Sequence, residues 1–193
     1  MSTAVPTGTS DRPLRADARR NRERVMQAAR EAFAEIGVDL PMEEIARRAG
    51  VGIGTIYRHF PNKEALLDAL LVDQIAQHLE RTRDALAKDD AWQAFRALVR
   101  EGAEMQAADQ AYCEVVMLRS AESRSLAAIE LQGVLNDEMG KLLDRAKAGG
   151  GMRADFGVED VPVLFASIAG AIRRSDGDAW RRQVEFALDG LRA

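Results

Sequence analysis

The sequence has very few of the residues on which metal sites and disulfide scaffolds depend. It contains one cysteine, Cys113, and two histidines among 193 residues. A single cysteine excludes a disulfide within the chain and makes the reducing cytoplasm the expected location. No spacing of Cys and His suits a zinc site, so we expect neither a metal nor another cofactor.

Long apolar runs are also absent. The longest, residues 161–172, contains Pro162 and Ser167 and is shorter than the roughly 20 residues that a membrane span requires. The first 17 residues, MSTAVPTGTSDRPLRAD, have no apolar stretch of the kind found in signal peptides. We therefore expect no membrane partner.

Positive charge is concentrated near the start of the chain. The net charge of −4 argues against a general binder of polyanions. Six arginines nevertheless lie between Arg12 and Arg24, against only Asp17 and Glu23. An acidic body with a basic end can present that end to phosphates, although an arginine-rich solvated tail has the same pattern.

Apolar residues recur at helical spacing along the whole chain, and no alternating run bounded by turns indicates a strand. The pattern predicts an all-α protein of about nine helices, including a short one near residues 110–118. We expect a mobile tail over residues 1–17 and a first helical domain over residues 18–70. A larger second helical domain is expected over residues 71–193.

Residues 42–70, MEEIARRAGVGIGTIYRHFPNKEALLDAL, have the spacing of two short helices that meet at a tight turn. Ala46 is placed where the helices touch, Gly50 at the turn, and Ile56 as the apolar anchor of the second helix. Such a turn projects one short helix outward, and a helix of this size fits a DNA major groove. The alternative is a plain helical hairpin in which Tyr57 and His59 are half-buried.

Helical geometry leaves one face of the second short helix pointing away from the first. On this face Ile53 could meet a thymine methyl, Gly54 lets the backbone approach a base edge, and Arg58 could pair with guanine. Contacts with phosphate oxygens are expected from the neighbouring polar groups, namely Tyr57, His59 and Lys63.

The segment Val51 to Glu64, V-G-I-G-T-I-Y-R-H-F-P-N-K-E, resembles the N-terminal helix-turn-helix domain of the TetR family of bacterial transcriptional repressors. The resemblance extends over about Arg22 to Leu70 and implies that the third helix enters the major groove. It also implies DNA contacts from Thr55, Tyr57, His59 and Lys63. The complete set of predicted DNA-binding residues is Arg20, Arg22, Gly52, Ile53, Gly54, Thr55, Tyr57, Arg58, His59 and Lys63.

The chain departs from the family pattern at two places. Gly52 stands where the family often has a serine, which removes one hydroxyl. Residues 40–42, Leu-Pro-Met, stand near the start of the second helix, where the family often has Thr or Ser. These three residues offer no hydroxyl for a phosphate contact at that helix start.

Members of the TetR family are homodimers whose C-terminal helices form a dimerisation and ligand-binding domain, and the resemblance implies the same here. The segment VPVLFASIAGAI is apolar almost all round and rich in small residues, which favours close helix packing. A central helix buried within one monomer explains this composition equally well. The predicted dimerisation residues are Phe165, Ile168, Ala169, Ile172, Val184, Leu188 and Leu191.

Methionine and aromatic side chains in the second domain suit an irregular apolar pocket for a small-molecule inducer or corepressor. The same spacing also describes an ordinary hydrophobic core. The predicted ligand-binding residues are Trp92, Phe95, Met105, Tyr112, Cys113, Met117, Met139 and Phe165.

These observations predict a homodimeric DNA-binding regulator, a repressor that binds a pseudo-palindromic double-stranded operator and is released by a small-molecule ligand. The alternative is an all-helical small-molecule-binding protein without specific DNA recognition. An enzyme is not expected, because there is no G-x-x-x-x-G-K-[ST] motif and the glycines of residues 50–54 lack the strand that a nucleotide-binding loop requires.

Overall fold

The computed structural model describes residues 11–37, 39–109, 125–175 and 177–193. These ranges contain eight α-helices: α1 Asp11–Ile36, α2 Met42–Ala49, α3 Ile53–His59, α4 Lys63–Leu86, α5 Ala91–Ala108, α6 Leu126–Ala148, α7 Asp160–Arg174 and α8 Ala179–Gly190. Within these ranges, the only β pairing is an isolated bridge between Met152 and Arg192. The all-α prediction is confirmed, and the helix predicted near residues 110–118 lies outside the described residues.

The first helix starts earlier than the sequence pattern predicted. It begins at Asp11, within the segment of residues 1–17 that was expected to be a mobile tail, and residues 1–10 lie outside the described part of the chain. The segment from residue 14 to residue 24 contains five Arg, two Ala and one Leu, all of which are strong helix formers. Nothing in this segment stops the helix.

Short polar residues begin two of the long helices. At the start of α4, the Asn62 side chain accepts a hydrogen bond from the backbone N–H of Ala65 at 2.8 Å. At the start of α6, the Ser125 hydroxyl accepts from the backbone N–H of Ala128 at 3.2 Å. Each cap satisfies a donor that has no partner within its own helix.

Buried apolar side chains form two cores. The first lies among α1, α2, α3 and the N-terminal half of α4, and its members include Val25, Phe33, Ile45, Ile56, Phe60, Leu66 and Leu70. The second lies among α5, the C-terminal half of α6, α7 and α8, and its members include Phe95, Val99, Leu142, Leu143, Met152, Ile168 and Leu188. No helix in the described residues has the length and apolar character needed to cross a bilayer.

Two long helices contribute to both cores. Leu66 of α4 belongs to the first core and Ala85 of the same helix belongs to the second. Ala128 of α6 packs in the first core, whereas Leu142 of that helix packs in the second. The domain boundary expected between residues 70 and 71 therefore falls inside a continuous helix, and the two cores are joined without a flexible linker.

Replacing Gly50 by alanine is expected to destabilise the fold. Gly50 has a φ of +62°, and a Cβ added there would lie 2.9 Å from Nη2 of Arg24. Because a side chain in this left-handed conformation costs roughly 1–2 kcal/mol, Gly50→Ala should lower the free energy of unfolding by about that amount in urea denaturation. Gly140→Ala is the matched control, since a Cβ there meets open space within α6. That change should raise stability by up to about 1 kcal/mol, and equal effects at both sites would contradict the argument.

The two histidines should make the protein less stable in mild acid. Burial, and then the charge of Arg81, lower the pKa of His78 below its ordinary value of 6.5. Burial, and then Arg58 and Arg22, lower the pKa of His59 in the same direction. The unfolded chain therefore binds these protons more tightly than the folded protein, so the free energy of unfolding falls as pH drops below about 6.5. Urea midpoints measured from about pH 7.5 to pH 5.5 should decline, and His78→Gln should flatten that decline.

Candidate nucleic-acid interface

The turn between α2 and α3 is held by an arginine from α1. Nη2 of Arg24 donates to the carbonyl oxygens of Ala49 at 2.6 Å and Gly50 at 3.0 Å. Because the last carbonyls of a helix have no partner within it, the guanidinium satisfies groups that a short helix leaves exposed. Sequence reasoning did not single out Arg24, since nothing in the pattern separates it from the other arginines nearby.

The face of α3 predicted to point outward does so. Ile56 is fully buried and Phe60, directly after the helix, is almost fully buried. On the opposite face Ile53 is 45% exposed and Tyr57 is 41% exposed, and the other exposed members of the predicted set are Gly52, Gly54 and Arg58. Thr55 and His59 are half-buried at the margins. An exposed isoleucine and tyrosine together on a two-turn helix indicate a surface that another molecule covers.

Tyr57 is not free on this face. Its hydroxyl donates to Oε1 of Glu43 on α2 at 3.2 Å. The hydrogen bond to Glu43, followed by burial, raises the pKa of the Tyr57 phenol. Glu43 was missed by sequence reasoning, because an acidic residue in the first turn of a helix is common and the contact spans 14 positions of the chain.

His59 is placed differently from the expectation of a phosphate contact. Its Nε2 is buried and has no hydrogen-bond partner among the described residues. The ring centroid lies 6.4 Å from that of Phe60, and burial is the main reason that its pKa is lowered. In this arrangement His59 is neutral at pH 7, and a phosphate contact through Nε2 would require the nitrogen to be uncovered.

Two of the predicted basic residues lie near the end of α3. Arg20 is exposed on α1 and pairs with Asp17. The Arg22 guanidinium lies 5.4 Å from the centroid of the Phe60 ring, at the end of α3. Lys63 is half-buried in the first turn of α4, where backbone N–H groups and the helix dipole favour an anion. Arg22 and Lys63 thus lie close to the C-terminal end of α3.

Three of the predicted ligand-binding residues are buried in the second core, and their assignment to a ligand pocket stays a prediction. The rings of Trp92 and Phe95 stack with centroids 6.2 Å apart, and Phe156 contacts Phe95 edge-on at 6.0 Å. Met139 is buried in the same core. Aromatic and methionine side chains fill a core as readily as they line a cavity, so composition did not separate the two. Met105 and Phe165 are half-buried, whereas Tyr112, Cys113 and Met117 lie outside the described residues.

The predicted dimerisation residues mostly face the interior of one chain. Four are buried in the second core: Ile168, Ile172, Val184 and Leu188. Phe165 packs so closely on α5 that a Cβ at Gly102 would lie 2.7 Å from its ring, while Ala169 and Leu191 are half-buried. Because α7 is apolar almost all round, its sequence did not indicate which side faces inward. The large exposed apolar side chains of α7 and α8 are instead Val163 and Phe186.

The described surface also has an open groove along α4, with a volume of about 350 Å³. Five of its six lining residues are polar or charged, and the six are Asp73, Ala76, Gln77, Glu80, Arg81 and Asp84. None of these was predicted to bind a ligand. Within the described ranges, no group of three or more His, Cys, Asp or Glu side chains is arranged to hold a metal ion.

Solved structures provide two close comparisons. A TetR transcription regulatory protein from Mycobacterium vanbaalenii is 36% identical, covers 94% of this chain and 100% of its own, and superposes with a TM-score of 0.67. A TetR transcriptional regulator from Streptomyces coelicolor is 31% identical, covers 89% of this chain and 98% of its own, with a TM-score of 0.61.

Curated relatives and family models agree with these structures. The class D tetracycline repressor protein of Escherichia coli is 42% identical over 79 residues, which are 40% of this chain and 35% of the repressor. The chain thus spans about a third of the length of that relative. Residues 25–70 match the bacterial regulatory proteins of the tetR family, and residues 89–193 match the C-terminal domain of SbtR-like transcriptional regulators. The resemblance predicted from residues 51–64 is confirmed, and the chain belongs to the TetR family of bacterial regulatory proteins.

Proposed function

We propose that the protein is a homodimeric transcriptional repressor that acts in the cytoplasm and is released from its operator by a small-molecule ligand. The observation that carries the proposal is the outward face of α3. Ile53 and Tyr57 are exposed there while Ile56 and Phe60 anchor the helix in the first core. A seven-residue helix held rigidly at the surface in this way suits insertion into a DNA major groove.

The charges around α3 favour binding to DNA at this face alone. Arg22 and Lys63 lie close to the end of the helix, and together with the exposed Arg20 of α1 they can contact phosphates beside the groove. Arg58, exposed in the last turn of α3, is the residue that we expect to pair with guanine. The net charge of −4 disfavours wrapping of DNA around the remaining surface.

A two-fold dimer would present two such helices. Val163 of α7 is 67% exposed and Phe186 of α8 is 65% exposed. The small residues Ala166, Ser167 and Gly170 lie on the accessible side of α7 and permit close approach of a second helix. Two copies of this pair of helices can form a four-helix interface about a two-fold axis. The two copies of α3 would then read half-sites about 34–36 Å apart, or a multiple of that distance.

The two helices that the cores share, α4 and α6, provide a route by which ligand binding in the second domain can release the protein from DNA. A ligand that binds the second domain can weaken DNA binding only if it prefers an arrangement in which both copies of α3 cannot dock together. Since α4 and α6 each pack in both cores, a shift within the second core must be transmitted to the first. Met105 and Phe165, half-buried in α5 and α7, remain the described candidates for contact with such a ligand.

Selection from random double-stranded DNA tests the proposal directly. We expect the protein to enrich a pseudo-palindromic site, and Arg58→Ala to relax the preference at one base pair of each half-site by about 5- to 150-fold. Lys141→Ala, which removes an exposed charge from α6, is the matched control and should leave the enriched site unchanged. An equal loss of affinity for every operator variant would reassign Arg58 to phosphate. Failure to enrich any site would favour a ligand-binding protein without DNA recognition.

Substitution of the exposed apolar pair tests the dimer. Phe186→Glu combined with Val163→Glu should convert the dimer to a monomer, because two carboxylates per chain would be buried without partners. The expected readout is a halved mass in sedimentation equilibrium, together with at least a tenfold loss of operator affinity. Ile129→Glu changes a comparably exposed apolar residue on α6 and serves as the control. A double variant that remains dimeric would show that another face of the protein forms the interface.

A further inference from the structure

The exposed face of α3 includes a carboxylate that belongs to the neighbouring helix. Glu43 is exposed in the first turn of α2, and its Oε1 accepts the hydrogen bond from the Tyr57 hydroxyl at 3.2 Å. Tyr57 lies on the same face as Ile53. The proposed DNA-reading surface therefore contains a negative charge, in a position that a general phosphate binder would avoid.

The adjacent acidic residue, Glu44, pairs with arginines and does not contact α3 through a hydrogen bond. Glu44 accepts two hydrogen bonds from Arg47, at 2.6 and 2.7 Å, and one from Arg48 at 3.1 Å. These partners lower the pKa of Glu44 to about 2. Glu44 is thus neutralised by arginines of its own helix, whereas Glu43 is directed toward α3. Both residues are near the positive end of the helix dipole, but the dipole alone does not account for the contact between Glu43 and Tyr57.

A carboxylate at a DNA surface is repelled by phosphates and is favoured only where it meets hydrogen-bond donors. In the major groove those donors are the exocyclic amines of the bases, and cytosine presents its N4 amine without an adjacent acceptor. A carboxylate has several acceptor positions. The Tyr57 hydroxyl occupies one on Oε1 of Glu43, which leaves the second oxygen available to a base.

We infer that Glu43 is a specificity-determining residue that accepts a hydrogen bond from the N4 amine of one cytosine in each half-site. Tyr57 holds the carboxylate in the position from which it reads the base. This inference rests on the proposed function, since it assumes that α3 enters the major groove.

Two substitutions of Glu43 should have different effects on sequence preference. Glu43→Ala should lower the preference for cytosine at one position of each half-site by about 5- to 150-fold. Glu43→Gln should shift that preference toward adenine, because an amide can pair with adenine N6 and N7 together whereas a carboxylate cannot donate to N7. The experiment is selection from random double-stranded DNA by the full-length chain, followed by titration of the enriched duplexes and of versions altered at that position.

Two further variants separate base reading from other roles of the carboxylate. Tyr57→Phe removes the hydroxyl but keeps the Glu43 carboxylate, so the cytosine preference should weaken without shifting to adenine. Glu101→Gln removes the same charge from an exposed position on α5 and should leave the preference unchanged. Thermal unfolding of every variant verifies that each remains folded at the temperature of the titration.

Several results would overturn the inference. Equal tightening on all duplexes in Glu43→Ala would mean that Glu43 only repels phosphate. Identical profiles for Glu43→Ala, Glu43→Gln and Tyr57→Phe would mean that Glu43 only positions Tyr57. If the native protein and Glu43→Ala enrich the same site with the same base preferences, the inference is wrong but the proposed function stands. If the native protein enriches no site at all, the proposed function fails and the inference fails with it.

Discussion

The burial of Ile56 and Phe60 is the constraint on which the functional surface depends. An isolated helix of seven residues is unstable in water, so α3 owes its existence and its orientation to the first core. Once these two side chains are buried, helical geometry directs Ile53 and Tyr57 toward solvent. The hydrogen bonds from Arg24 to the end of α2 then fix the angle at which α3 leaves the turn. The exposure of Ile53 and Tyr57 therefore follows from the burial of the opposite side of α3.

The first core is in turn braced by contacts that join its helices to the rest of the molecule. Arg30 of α1 pairs with Asp73 of α4. The carboxylate of Asp68, also on α4, accepts from the backbone N–H of Ser125, the residue before α6. These polar contacts complement the apolar packing of Ala128 in the first core. The part of the protein that is expected to read DNA is consequently built on the same two helices as the part that is expected to sense a ligand.

Much of this architecture could be predicted from the sequence, and the reasons for success and failure are physical. Periodicity and glycine positions report local geometry, which is why the turn at Gly50 and the outward side of α3 were predicted. The interior side of α7 could not be predicted, because a helix that is apolar all round has no distinguishable face. The contacts of Arg24 and Glu43 depend on where long side chains reach across the fold, which spacing along the chain does not encode.

The uninterrupted course of α4 has a mechanical consequence. At about 1.5 Å per residue its 24 residues make a rod of roughly 36 Å, with no glycine or proline along it at which it could bend. A tilt of only about 5° applied at one end of such a rod displaces the other end by roughly 3 Å. In a symmetric dimer the displacements of the two copies add. A small rearrangement in the second core would then change the distance between the two copies of α3 by several ångströms, whereas the spacing of the half-sites along the double helix is fixed.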